Sequence, residues 1–378
     1  MNIDDIINSI DSNNLDIAFG RVVNISAVTL SAVGLDVAVG DIVRIESAQK
    51  LYTVLGMVTV LKDGLFVIVP FSFIDGFKIN DKVFLQRDGL TVKCGNGLLG
   101  RVVNALGDPI DDLGKIRDLD TNAPINKESM SPLDRGIIDK KFATGVKAID
   151  SMLTCGKGQK VGIFAGSGVG KSTLMGMIVQ GCEATIKVIA LVGERGREIP
   201  EFIHYNLNNN LENTVIVTAT SDESPLMRKY AAFTAMTIAE YFRDKGYDVL
   251  LMMDSVTRFA MAQREIGLST GEPPVSRGYP PSVFALLPQL MERAGNSKKG
   301  SITAFFTVLV DGDDLNDPIA DQSRSILDGH IVLTRDLTEQ GFYPPINILK
   351  SASRVIDKVV TKEHYNDFLK LKRVLSLI

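Results

Sequence analysis

The stretch Lys160-Val-Gly-Ile-Phe-Ala-Gly-Ser-Gly-Val-Gly-Lys-Ser-Thr173 decides the fold. Its apolar run from Val161 to Phe164 has the length of a buried strand. A glycine-rich turn follows, and then Leu174, Met177 and Ile178 recur at helical spacing. Strand, turn and helix in that order make a phosphate cradle. The glycines let the backbone pass close to a polyphosphate, so that amides from Gly166, Ser167, Gly168, Val169 and Gly170 point at its oxygens. The helix opening near Gly170 aims its positive end at the same anion. Lys171 adds a mobile charge for the terminal phosphates, and the Ser172 hydroxyl, followed by Thr173, can reach Mg²⁺. The strict pattern has Gly where this chain has Ala165, the smallest replacement. The competing reading, a glycine-rich turn carrying a surface lysine, accounts for neither the strand before nor the apolar helix face after.

The rest of the composition bounds the class. With 378 residues, 45% of them apolar, the chain can build two or three domains with a substantial core. No run approaches the roughly 20 apolar residues of a membrane span. Residues 1–11 carry acids and lack the basic start and apolar centre of a secretory leader. Cys94, Cys155 and Cys182 have no metal-ligand spacing, and their odd number argues against a disulfide framework. A reducing, cytoplasmic setting is expected. Lys and Arg number 41 against 45 Asp and Glu, a net charge of −4, so no general positive field holds the chain on nucleic acid. The basic clusters at 298–299 and 370–373 read as solvated faces, and His204, His330 and His364 are scattered.

Along the chain, β-branched runs at 21–25, 41–45, 52–60, 65–70 and 82–86 alternate with turn signals, which predicts a small antiparallel barrel or sandwich. Residues 1–13 read as a short helical or disordered lead, and the Gly- and Asp-rich stretch 94–120 as a linker. From 160 to 335 the pattern becomes strand, helix, strand, with strands at 160–164, 188–192, 214–218, 249–253, 302–310 and 331–334. The clearest helix is 225–245, with Ser224 as its cap, Pro225 at its first position and Gly246 ending it. Such alternation predicts an α/β fold with a mainly parallel sheet covered on both faces. Residues 363–378 read as one amphipathic helix.

In such a sheet the ligand sits at the carboxyl ends of the strands. Two apolar strands end there in acids: 188–192 runs into Gly193-Glu194-Arg195, and 249–253 ends in Asp254. Asp254 fits a metal partner acting through water, or a helix cap working through Ser255. Glu194 is placed to polarise the water that attacks a terminal phosphate, or to pair with Arg195 or Arg197. Glu198, one turn on if that segment is helical, can support the metal shell.

Several motifs together resemble the catalytic subunits of the rotary ATPase superfamily: Gly166-Ser-Gly-Val-Gly-Lys-Ser-Thr173, Gly193-Glu-Arg-Gly-Arg-Glu198, Met253-Asp-Ser-Val-Thr-Arg258 and Gly341-Phe-Tyr-Pro-Pro345. Longer stretches are similar to one branch, the flagellar protein-export ATPases and their injectisome relatives in type III secretion. These are Leu133-Asp-Arg-Gly-Ile-Ile138, Ser224-Pro-Leu-Met-Arg-Lys229, 258–267, Leu290-Met-Glu-Arg-Ala-Gly295 and Asp317-Pro-Ile-Ala-Asp-Gln-Ser-Arg324. The resemblance spans about 98–354 and implies a RecA-like P-loop ATPase core at 81–350. An N-terminal β-barrel at 1–80 would precede it, and the start of a helical C-terminal domain at 351–378 would follow. The family's C-terminal domain is represented here by its first helix only. The resemblance also implies Glu194 as catalytic carboxylate, Arg195 and Arg258 near the phosphates, and Tyr343 packed on adenine. Read alone, Tyr343 is a loop aromatic steadied by two prolines, and Arg354 a surface arginine. By resemblance Arg354, in Ser351-Ala-Ser-Arg-Val355, is supplied to the neighbouring subunit's nucleotide, a contribution of about 10³- to 10⁵-fold in rate.

The implied activity is Mg²⁺-dependent ATP hydrolysis energising flagellar protein export, by a homohexamer with active sites between subunits. Implied partners are a stator-like regulator, a central stalk, the export gate and chaperone-cargo complexes, at the cytoplasmic face of the membrane apparatus. An injectisome ATPase is the alternative within the branch. A non-catalytic nucleotide-binding subunit would lack the carboxylate at Glu194. A hexameric RNA translocase would carry basic residues interleaved with aromatics in its first domain, which residues 1–86 do not.

Overall fold

The computed structural model describes residues 18–47, 52–310, 314 and 316–377; the expected lead at 1–13 lies outside them. Two compact units divide between Leu90 and Thr91, with Ser269–Gly271 belonging to the first. The first unit is a closed barrel of six antiparallel strands: Phe19–Ile25, Leu30–Val33, Ile42–Glu46, Thr53–Lys62, Leu65–Pro70 and Lys82–Gln86. Alternation does the folding. Val22, Leu30, Ala32, Val43, Ile45, Val58, Phe66, Ile68 and Val83 point inward and form one buried cluster. The barrel runs past residue 80, because its closing strand Lys82–Gln86 pairs with both Phe19–Ile25 and Ile42–Glu46.

The second unit carries a nine-stranded, mainly parallel sheet. Across it the order is Ala352–Ser353, Gly329–Val332, Lys160–Ala165, Ser301–Leu309, Asp248–Asp254, Ile186–Glu194, Thr214–Thr220 and Val102–Val103, with Gly295–Asn296 paired beside Ser301–Leu309. Every residue of Lys160–Ala165 is buried, as a strand covered on both faces must be. The helix Lys171–Gly181 lays Leu174, Met175, Ile178 and Val179 against Ile163, Ile189, Leu191, Leu250, Met252 and Phe305. The helix Pro225–Asp244 begins as its sequence predicts: the Ser224 hydroxyl accepts from the Met227 amide, Pro225 stands in the first turn, and Gly246 at φ 97° follows the end. Lys362–Leu375 is the final helix, capped by Thr361.

The stretch 94–120 is not a linker. Val102–Val103 joins the sheet in parallel beside Thr214–Thr220. Arg101 grips Asp111 with two bonds of 2.7 Å and the Gly114 carbonyl with a third, and this pairing holds Asp111 down to about pKa 2. Glycine here serves close packing: a Cβ on Gly97 would lie 1.6 Å from the Arg117 carbonyl oxygen.

Candidate active site

The loop strand ends at Ala165, fully buried, whose carbonyl accepts from the Val310 amide. The chain then turns through Gly168 at φ 78° and Gly170 at φ 88°, left-handed conformations that side chains rarely adopt. Among the described residues, the backbone amides of 166–170 donate to no protein acceptor. Ser172 and Thr173 are exposed in the first turn of the helix that follows. These unspent donors, with a helix start behind them, form an anion cradle.

Lys171 reaches across to the ends of the two acid-bearing strands. Its ammonium lies 2.6 Å from Asp254 Oδ1 and 3.6 Å from Glu194 Oε1. The side chains of Lys171 and Glu194 are 13% exposed and that of Asp254 5%. Burial works against the lysine's charge, but Asp254 and Glu194 outweigh it and hold its pKa above the ordinary value. For Glu194 burial dominates: against the pull of Lys171, and helped by the nearby Asp254 and Glu198 carboxylates, it pushes the carboxyl up to about 7. Glu194 Oε1 is buried without a hydrogen bond.

The other predicted residues fall into two groups. Glu198 does not share a helix with Glu194: Gly193 at φ 70° and a turn, closed by the Glu198 amide on the Arg195 carbonyl at 2.8 Å, separate strand from helix. That turn still returns Glu198 to the vicinity of Glu194. Arg195 points outward, 66% exposed, 3.5 Å from Glu198. Arg258 packs its stem against Gly193, where a Cβ would lie 2.9 Å away, and its Nε is buried without a partner. Tyr343 is exposed, and Pro345 two residues on reaches the loop: a Cβ on Gly170 would lie 3.8 Å from Pro345 Cδ.

Arg354 stands apart from this cluster within one chain. Its amide donates to the Asp328 carbonyl and its guanidinium to the Arg324 carbonyl. The Asp328 amide in turn donates to the Lys160 carbonyl, at the opposite end of the loop strand from Ala165. Five residues of strand put roughly 16 Å between those ends.

Three contributors escaped sequence reasoning. Thr307, fully buried, donates to Asp254 Oδ1 at 2.6 Å. Arg335 bonds the Ser167 carbonyl at 3.3 Å. Asn206, in the π-turn Phe202–Asn206, donates to the Ser172 carbonyl at 3.2 Å and accepts from Gln180 at 2.5 Å. That turn abuts the loop helix so closely that a Cβ on Gly176 would lie 2.7 Å from Asn206 Cβ.

A glycine cradle at the carboxyl edge of a parallel sheet, with a lysine facing two strand-end carboxylates, defines a P-loop nucleotide-binding protein. Residues 145–353 match the ATP synthase alpha/beta family, nucleotide-binding domain. The flagellum-specific ATP synthase of Helicobacter pylori strain J99 is 59% identical over 361 residues, covering 95% of this chain and 83% of the relative. The type 3 secretion system ATPase of Xanthomonas euvesicatoria is 45% identical, covering 95% of this chain and 81% of that protein. Among solved structures, the assembled ATPase EscN from the type III secretion system of enteropathogenic E. coli superposes with a TM-score of 0.89 at 46% identity, covering 94% of this chain and 86% of EscN. EscN is also solved in complex with its central stalk EscO. The chain belongs to the ATP synthase alpha/beta family. Among its described residues no helix is long and apolar enough to cross a membrane.

Proposed function

We propose that this chain hydrolyses ATP to energise protein export through a flagellar type III apparatus. The observation that carries the hydrolytic reading is the buried meeting of Lys171, Asp254 and Glu194 beneath a loop of unpaired amides. The loop amides and Lys171 bind the phosphates. Glu194 supplies a buried acceptor oxygen without a hydrogen bond, suited to orient the attacking water. Its burial favours taking up a proton as phosphate leaves. Tyr343 offers an exposed ring for adenine stacking. Arg258, whose buried Nε has no partner, and Arg195, once it turns in from its outward position on Glu198, would flank the phosphates. Arg354 is remote from its own loop and exposed, which suits an arginine given to a neighbour in a homohexameric ring.

The donors fit Mg²⁺. Ser172 offers an exposed hydroxyl, and Asp254 and Glu198 offer hard carboxylate oxygens, the last two suited to act through water. When bound, the ion neutralises charge developing on the phosphates. The flagellar assignment follows the 59% identity to the Helicobacter pylori flagellum-specific relative over 95% of this chain, whereas a secretion-system ATPase reaches 53% over 76% of it. Central stalk, stator-like regulator, export gate and chaperone-cargo complexes are the partners of this reading, met at the cytoplasmic face of the membrane.

The test is ATPase rate against protein concentration, paired with a mass measurement. A steep rise per subunit that tracks assembly is expected. Turnover that survives Lys171→Ala, or does not depend on assembly, would overturn the proposal. Restoration of motility, as opposed to effector secretion, in a strain lacking its own export ATPase separates the flagellar from the injectisome reading.

A further inference from the structure

Asp254 Oδ1 receives two donors at the same distance: the Lys171 ammonium and the Thr307 hydroxyl, each at 2.6 Å. Thr307 sits on the strand between the loop strand and the Asp254 strand, level with Ile163 and one residue beyond the Met253–Phe306 pair. Its hydroxyl also lies 3.3 Å from the Met253 carbonyl. A hydroxyl has one proton to give, and the nearer, charged oxygen takes it. Among the described residues no hydrogen bond reaches Asp254 Oδ2.

A nucleotide phosphate draws the Lys171 ammonium away from Asp254 Oδ1. When it leaves, a carboxylate 5% exposed loses its charge partner, and such a group is costly without a donor. We propose that Thr307 is a positioning residue: it holds Asp254 Oδ1 while Lys171 transfers to the phosphates, and so fixes the carboxylate with Oδ2 left free of protein donors. This rests on the nucleotide-site reading above. Without the hydroxyl, Lys171 is the sole donor left to Asp254, and its release is opposed.

The test is the affinity for ATP in the presence of EDTA, measured by calorimetry. Thr307→Val keeps the shape and removes the hydroxyl, and is expected to weaken binding about tenfold, the scale of one hydrogen bond to a charged group. Thr307→Ser should bind within about twofold of the parent. In an Asp254→Asn background, Thr307→Val should change affinity less than about twofold, which a packing role would not predict. Equal affinity in Thr307→Val, an equally weak Thr307→Ser, or an undiminished effect in the Asp254→Asn background would each overturn the proposal. If Thr307→Val does not fold, Thr307→Ala against Thr307→Ser decides, and equal affinities overturn it. Lys171→Ala is the control: if it binds ATP normally, the site reading itself fails. If it does not, and Thr307→Val does, only the role of Thr307 falls.

Discussion

Replacing Lys171 by alanine should destabilise the fold as well as abolish turnover. The ammonium lies 2.6 Å from Asp254 and 3.6 Å from Glu194, with all three side chains at most 13% exposed. At an effective dielectric near 20, a unit pair at such separations attracts by roughly 4–6 kcal/mol before desolvation is subtracted. Removing one member of a buried pair typically costs about 3–5 kcal/mol, because the partner remains charged and uncompensated. Ser167, Gly168 and Ser172 around Lys171 are exposed, so water can reach the vacated space and the lower end applies, about 3 kcal/mol. For a unit of this size that is roughly 5–10 °C in melting temperature. Asp254→Asn removes the orphaned charge, so the double substitution should recover at least about 1–2 kcal/mol relative to the sum of the single ones. Urea unfolding of the four proteins, without nucleotide, reads the cycle. A Lys171→Ala loss below about 0.5 kcal/mol, or strict additivity with Asp254→Asn, would refute the reasoning that the lysine neutralises buried acids.

Glu194→Gln keeps the side chain's size while removing its charge. Nucleotide affinity should stay within about threefold, and single-turnover hydrolysis should fall by about 10²- to 10⁴-fold. Arg354 is exposed, so Arg354→Ala should unfold within about 0.5 kcal/mol of the parent yet hydrolyse slowly even when assembled. Mixed with Glu194→Gln it should regain part of the activity, and mixed rings without any recovery would exclude a shared site. Asp111→Asn removes a carboxyl held down to about pKa 2 by Arg101. A depressed pKa stabilises the fold above the unfolded value near 3.9, and that gain disappears as pH falls through 2. The variant should therefore lose about 1–2 kcal/mol at pH 7 and visibly less at pH 3 by urea titration, whereas an equal deficit at both would rule out the ion pair as the cause.

The sequence disclosed what depends on local pattern. The loop and its helix, the strands ending in Glu194 and Asp254, and the capped helix after Ser224 each write their signal in consecutive residues. Leu30–Val33 escaped because a four-residue strand shows only two inward side chains, Leu30 and Ala32, too few to establish a period. Val102–Val103 was hidden by its neighbours: glycines and aspartates that look like a tether are committed to the Arg101 clamp and to close backbone packing. Thr307 reads as one more strand residue, since its value depends on a carboxylate 53 positions away that only parallel pairing brings alongside. Glu198 shows a different error: the expected route back to Glu194 was a helical repeat. A turn, not a helical repeat, brings it back to Glu194.

The order of the sheet has a consequence for how copies of this chain can meet. Its outermost strands, Val102–Val103 and Ala352–Ser353, are only two residues long, so neither border exposes a row of free amides and carbonyls on which a foreign strand could dock. Longer strands such as Asp248–Asp254 and Ser301–Leu309 lie in the interior. A sheet bounded in this way does not grow by adding strands. At these borders no continuous hydrogen-bonded ribbon can form between subunits, so contacts made there rest on side chains, whose fit can loosen and tighten.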